Sequence, residues 1–97
     1  MTRRDTARKE RVDLQLRTTA LTWHVVGSDV VVLDLAGSVY LKLNGSGRVL
    51  WERLAEAATS DMLVAALVET YGIDEETAEA DVRHFVEELR RRNLLAA

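Results

Sequence analysis

The sequence predicts an α+β domain of the winged helix-turn-helix-like type, in which a three-stranded antiparallel sheet is followed by three helices. Two observations predict this βββααα order. Runs rich in β-branched residues, separated by two short turns, occupy residues 21–43, and the apolar residues after them recur at helical spacing. The chain of 97 residues is long enough for one domain with one modest core.

The three predicted strands cover residues 21–26, 30–35 and 39–43. The two short turns between them indicate an antiparallel meander, in which sequential strands are neighbours. The middle run is the least polar, so we expect it to be the central strand, with the first and third strands at the edges of the sheet.

A glycine-rich joint at residues 45–47 separates the third strand from the first predicted helix. This helix is expected over residues 47–57, with Asn44 or Ser46 as its N-cap. Its apolar stripe is expected to contain Val49, Leu50, Arg53 and Leu54, with Trp51 near the border.

The second predicted helix follows the capping sequence at residues 59–61 and ends at Gly72. The third begins after Asp74 and is expected to end where Asn93 adopts the left-handed conformation. The leucines at residues 94–95 are expected to fold back onto the core. The expected apolar positions are Met62, Leu63, Ala66, Leu67 and Tyr71 in the second helix, and Ala78, Val82, Phe85, Val86 and Leu89 in the third.

The N-terminal segment differs from the rest of the chain in charge. Residues 1–18 carry six basic and three acidic side chains, whereas the remaining 79 residues carry a net charge of −6. We therefore expect residues 1–17 to form a basic, largely disordered tail before a domain over residues 18–97. The acidic domain disfavours nucleic-acid binding, since the third helix begins with carboxylates that would repel phosphate.

The composition also predicts the compartment. The sequence has no cysteine, no apolar segment of a signal peptide, and no run of the roughly 18 apolar residues that a membrane helix needs. These features predict a cytoplasmic protein that does not interact with a membrane.

The sequence predicts no catalytic residue, cofactor or metal site. Its two histidines, His24 and His84, lie on a predicted strand and a predicted helix and lack the spacing of metal ligands. The joint at residues 45–47 lacks the glycine spacing and the lysine of a phosphate-binding loop, so we interpret it as a hinge. A small enzyme is an alternative from another class, although no nucleophile is paired with a base.

The third strand offers a binding surface for an extended peptide. An edge strand leaves backbone N–H and C=O groups free, and an added strand can pair with them. Selectivity would come from side chains of the neighbouring third helix, for which a place in the core is the competing interpretation. The predicted site residues are Val39, Tyr40, Leu41, Lys42 and Leu43 on the strand, and Asp81, Val82, Arg83, Phe85, Val86 and Leu89 on the helix.

Four stretches of the sequence carry a resemblance to a known family. They are LNGSGRVLW at residues 43–51, YGID at 71–74, DVRHFVEEL at 81–89 and NLL at 93–95. Together they resemble the PqqD-like family of peptide chaperones, the RiPP recognition element. That family binds the leader segments of ribosomally made, post-translationally modified peptides. The resemblance covers residues 23–95.

The resemblance implies that a precursor's leader docks as an antiparallel strand on the third strand, in the cleft that this strand makes with the third helix. A stand-alone module of this size is most similar to the leader-binding component of lasso peptide systems. That component presents the precursor to a transglutaminase-like leader peptidase and then to a cyclase, and its leaders typically carry a Tyr and, a few residues later, a Pro.

Two alternatives remain open at this point. One is a pyrroloquinoline quinone chaperone, which would partner a radical SAM enzyme. The other is a winged-helix regulator that uses the basic tail to reach DNA.

Overall fold

The computed structural model describes residues 13–37 and 39–96, with the side chain of Val39 left out. The predicted βββααα order is confirmed, and the chain forms an α+β fold with an open sheet. The elements are β1 (Leu21–Val26), β2 (Asp29–Asp34), β3 (Val39–Leu43), α1 (Gly45–Leu54), α2 (Ser60–Tyr71) and α3 (Glu75–Arg91).

The sheet is an antiparallel meander in the order β1-β2-β3, so the prediction of a central second strand is confirmed. Val32 of β2 lies between Trp23 of β1 and Leu41 of β3. All three side chains share the face that packs on the helices, and Val32 is almost completely buried. Trp23 makes an edge-to-face contact with the Trp51 ring of α1, with ring centroids 6.1 Å apart.

Helix α1 begins and ends earlier than the sequence analysis predicts. It begins at Gly45, because the extended Asn44 places its carbonyl to accept from the N–H of Gly47 at 3.0 Å. It ends at Leu54, and Ala57, the predicted last residue, instead adopts a left-handed φ of 70°.

The buried face of α1 also differs from the predicted stripe. Leu50, Trp51 and Leu54 are completely or almost completely buried. Trp51 is therefore a central core residue rather than a border residue, and Arg53 is exposed.

The ends of α2 and α3 confirm the predicted caps. The Thr59 hydroxyl accepts from the Met62 N–H at 3.2 Å, and the Asp74 carboxylate accepts from the Thr77 N–H at 3.0 Å. Gly72 ends α2 in the left-handed conformation.

Beyond α3, Asn93 has a φ of 61°, as the sequence predicts for the residue that ends this helix. Leu94 and Leu95 then return to the core and are buried.

Two predicted apolar positions of α2 point to solvent. Met62 and Tyr71 are exposed, whereas Val64, which the predicted stripe omits, is buried. The apolar content of α2 is high on several faces, so helical periodicity alone does not define its buried side.

The start of the described chain differs from the predicted tail. Leu14 forms a β-bridge with Ala58, and Leu16 forms one with Leu95. Leu16 is buried and belongs to the hydrophobic core. Residues 14–17 of the predicted tail thus pack on the domain, while residues 1–12 lie outside the described residues.

None of the helices in the described ranges is long and apolar enough to span a membrane.

Candidate functional site

The outer edge of β3 is open in the part of the chain that the structure describes, because β3 pairs with β2 alone. The register shows which backbone groups reach this edge. Leu35 N–H donates to Ala20 O at 2.8 Å, in line with the β1–β2 ladder, so odd-numbered residues of β2 bond towards β1. Even-numbered residues of β2 therefore bond to β3, and their partners include Leu41. It follows that Tyr40 and Lys42 direct their N–H and C=O groups to the open edge.

The two faces of β3 differ in chemistry. Tyr40 is 62% exposed on the outer face, and the Lys42 side chain beside it is 54% exposed. Leu41 and Leu43 are half-buried on the inner face and pack against the core. A strand added to this edge would meet an apolar inner face and an amphipathic outer face.

Gly47, at the start of α1, lies beside Leu43 of β3 and Phe85 of α3. A methyl group on its Cα would lie 3.4 Å from Leu43 Cδ2 and 3.7 Å from Phe85 Cε1. The half-buried Phe85 ring therefore borders the inner face of β3. Leu43 and Phe85 are both predicted site residues, and both border the position of Gly47.

The other predicted residues of α3 lie elsewhere on the helix. Val82, Arg83 and Val86 line a groove of about 380 Å³ between α2 and α3. Leu89 is completely buried in the core, and Asp81 is exposed to solvent. This distribution follows from helical geometry, because residues 82, 86 and 89 share one stripe and Phe85 lies beside it.

Apolar side chains on the outer face of β2 extend the exposed surface next to the edge. Leu33 lies opposite Tyr40 and is 37% exposed, and Leu35, directly after β2, is 63% exposed. The sequence analysis missed both residues as surface features. Their signal was available in the alternation of β2, where every second residue faces away from the core.

A buried ion pair fixes the turn that leads into β3. Asp34 is 5% exposed, and its Oδ1 accepts hydrogen bonds from Arg17 Nη2 and from the Ala36 and Gly37 N–H groups. The hydrogen bond from Arg17 lowers the pKa of the Asp34 carboxyl below its ordinary value, against the opposing effect of burial. Arg17 Nη1 also donates to Asn93 O at 2.6 Å, so one side chain connects the turn to the end of α3.

Two polar contacts position the far end of β3. Lys42 Nζ lies 3.7 Å from Asp29 Oδ2 on the neighbouring strand. Arg48 of α1 donates from Nη1 to Gly27 O at 3.2 Å and so joins the helix to the β1–β2 turn. Across residues 13–37 and 39–96, no three His, Asp or Glu side chains group in a way that could hold a metal ion.

The family comparison agrees with this architecture. The family model for coenzyme PQQ synthesis protein D (PqqD) matches residues 29–95, which span β2 to the C-terminal leucines. The chain belongs to the PqqD family, and the resemblance seen in the sequence is confirmed. A comparison with curated proteins found no match.

Two solved structures share the fold. The structure of TbiB1 in complex with the TbiA(beta) leader peptide is 28% identical, with a TM-score of 0.79 over 86% of this chain and 95% of that chain. The structure of lasso peptide synthetase B1 complexed with the leader peptide is 20% identical, with a TM-score of 0.78 over 89% of this chain and all of the other.

Proposed function

We propose that this chain is a non-catalytic module that binds the leader segment of a ribosomally synthesised precursor peptide of the lasso type. The observation that carries the proposal is the open edge of β3, with the backbone groups of Tyr40 and Lys42 directed outwards. Support comes from TbiB1, which is similar over nearly its whole length and whose solved structure contains a leader peptide.

The leader would bind by adding a fourth, antiparallel strand to the sheet. Tyr40 and Lys42 each offer one N–H donor and one C=O acceptor, so the strand would gain up to about four backbone hydrogen bonds. These bonds are indifferent to sequence. Selectivity would come from the inner face, where leader side chains would lie against Leu41, Leu43 and Phe85.

The remaining predicted residues of α3 would act indirectly in this proposal. Val82, Val86 and Leu89 are buried and hold α3 against the core, which sets the position of Phe85. Asp81 is exposed and would act through its charge near the cleft. Arg83 lines the groove between α2 and α3, and its contact with the leader stays a prediction.

The proposed partners are the precursor and the enzymes that process it. We propose that the bound leader is delivered to a separate, transglutaminase-like leader peptidase and possibly to a cyclase, in the cytoplasm. Co-purification of the chain with each enzyme, with and without precursor, measures these contacts directly.

An NMR titration tests the binding mode. The probe is a synthetic, extended leader peptide that carries a Tyr and, a few residues later, a Pro, and binding at low-micromolar affinity, about −8 kcal/mol, is expected. The amide signals of residues 39–43 should shift most. The outer edge of β1 is also unpaired among the described residues. Shifts that cluster on β1 would show that the assignment of the site to β3 is wrong.

A second candidate follows from the family model itself, which is that of coenzyme PQQ synthesis protein D. A chaperone of this type would use the same edge but present its precursor to a radical SAM enzyme. The neighbouring reading frames separate the candidates: a peptidase and an asparagine-synthetase-like cyclase indicate the lasso pathway, and a radical SAM enzyme indicates the alternative.

A further inference from the structure

The edge of β3 carries few of the features that keep edge strands from pairing with other chains. Proteins block such edges with proline, bulges or several charges. The chain has no proline, and β3 pairs with β2 in unbroken register. The single charged residue of β3, Lys42, lies 3.7 Å from Asp29 on the neighbouring strand, which partly neutralises it.

The direction of the backbone groups limits how a second copy could pair with this edge. In an antiparallel pair, the residues that exchange two hydrogen bonds must both point to the shared edge. In each copy those residues are Tyr40 and Lys42. A symmetric pair therefore has three possible registers: Tyr40 opposite Tyr40, Lys42 opposite Lys42, or Tyr40 opposite Lys42.

Side-chain chemistry selects one of these registers. Placing Lys42 opposite Lys42 brings like charges together on the same face, which is unfavourable. Placing Tyr40 opposite Tyr40 leaves Lys42 without a β3 partner in the second copy. Placing Tyr40 opposite Lys42 uses all four outward residues of the two strands and puts each ammonium group beside an aromatic ring.

We propose that, without a leader peptide, two copies of this chain pair through their β3 edges into a continuous six-stranded sheet centred on Leu41. Each copy occupies the edge that the other would offer to a leader, so dimerisation and leader binding compete. The competition rests on the proposed function, whereas the dimer itself does not.

The size of the contact makes this dimer weak and reversible. One pair of five-residue strands provides about four hydrogen bonds and buries less than the roughly 1,200 Å² of stable interfaces. The dimer should therefore form at high protein concentration and dissociate on dilution. A weak dimer suits a site that must release its edge when a leader arrives.

Single-cysteine variants test the register, because the chain has no cysteine of its own. At the centre of the pair, the two Leu41 residues face each other as a non-hydrogen-bonded pair with Cα atoms about 4.5 Å apart, within the range of a disulfide. Leu41→Cys should therefore cross-link into a dimer under mild oxidation. Tyr40→Cys and Lys42→Cys are the matched controls, since each lies opposite a different residue in this register.

Each result decides between the registers. Faster cross-linking of Tyr40→Cys or of Lys42→Cys than of Leu41→Cys would replace the proposed register with one of the other two. Sedimentation velocity of the unmodified chain should show a rising dimer fraction from about 10 µM to about 1 mM, the range of a weak interface. A monomer throughout this range overturns the proposal.

Addition of the leader segment separates the two proposals. A molar excess should slow Leu41→Cys cross-linking at least several-fold and return the unmodified chain to a monomer. A leader that binds in the NMR titration but leaves the dimer intact overturns the competition and leaves the proposed function standing. Failure of the leader to bind at all overturns the proposed function, while the dimer is judged by sedimentation alone.

Discussion

At the scale of single residues, Gly47 shows how a small side chain shapes the inner face of β3. It stands in the first turn of α1, and the space above its Cα is bordered by Leu43 and Phe85. A larger residue would fill the space between the strand and the helix. In the proposed binding mode, the absence of a side chain at this position leaves room beside the Phe85 ring for a side chain of the leader.

Replacing Gly47 by alanine should separate binding from stability. Alanine favours the helix, so the free energy of unfolding should stay the same or rise by up to about 1 kcal/mol. The added methyl group would lie beside Phe85, where a leader side chain is proposed to bind, so leader affinity should fall at least about fivefold, which is about 1 kcal/mol. Calorimetric titration and urea unfolding measure the two quantities.

The matched control for this change is Ser46→Ala, one residue earlier in the same turn and exposed to solvent. It should leave leader affinity unchanged. If Gly47→Ala binds the leader as tightly as the unmodified chain, the leader does not use the space beside Phe85.

At the scale of elements, β3 has two sets of backbone groups with different tasks. One set, which includes Leu41, holds the strand to β2, and the other, from Tyr40 and Lys42, faces the open edge. Helix α1 follows β3 after a single residue, and its Leu50, Trp51 and Leu54 are buried. The strand is thus fixed from its inner side and by its connection, while its outer edge stays available.

Proline substitutions distinguish the two sets of backbone groups. Tyr40→Pro removes an outward N–H, so leader affinity should fall at least about tenfold while the helical circular dichroism persists. Leu41→Pro removes an N–H that bonds to β2 and should lower the unfolding midpoint in urea.

The control lies on the opposite edge of the sheet. Val25→Pro removes an outward N–H of β1 and should leave leader affinity unchanged. Loss of binding in Val25→Pro, with Tyr40→Pro unaffected, would contradict the assignment of the site to β3.

At the scale of the whole molecule, the two ends of the described chain meet beside the sheet. Leu16 forms a bridge with Leu95, and Arg17 N–H donates to Leu94 O at 2.8 Å. Arg17 also pairs with Asp34 at the end of β2. These contacts join the N-terminal segment, the C-terminal leucines and the turn into β3, so the position of the edge depends on the whole fold.

The Arg17–Asp34 pair predicts how stability depends on pH. Because the pKa of Asp34 is lower in the folded chain than its ordinary value of about 3.9, the pair stabilises the fold above about pH 4. This stabilisation is lost as the pH falls below about 4 towards the folded pKa. The difference in urea midpoint between the unmodified chain and Asp34→Asn should therefore be constant near neutral pH and shrink in acid.

Arg17→Gln provides the matched comparison. Without the guanidinium, the pKa of Asp34 should return towards its ordinary value or above it, since burial then acts alone against the two backbone hydrogen bonds. Like Asp34→Asn, this variant should lose the part of the stability against urea that the unmodified chain loses in acid. If the difference in urea midpoint between the unmodified chain and Asp34→Asn stays constant across the acid range, the Arg17–Asp34 pair is not the source of the stabilisation.

Local sequence is sufficient to predict the order of the elements and most of their ends. Thr59, Gly72, Asp74 and Asn93 act through neighbouring backbone groups, so their roles follow from local chemistry. The exception is the first helix, which ends at Leu54, three residues before the predicted boundary at Ala57.

Which faces are buried, and which residues surround the edge of β3, depends on tertiary contacts. The apolar alternation around Leu16 is too short to predict a strand, and the bridge partner of Leu16, Leu95, lies at the other end of the chain. Phe85 and Val82 share one predicted apolar stripe, yet one borders β3 and the other faces α2. These differences arise because burial depends on contacts between residues far apart in sequence, which local periodicity does not contain.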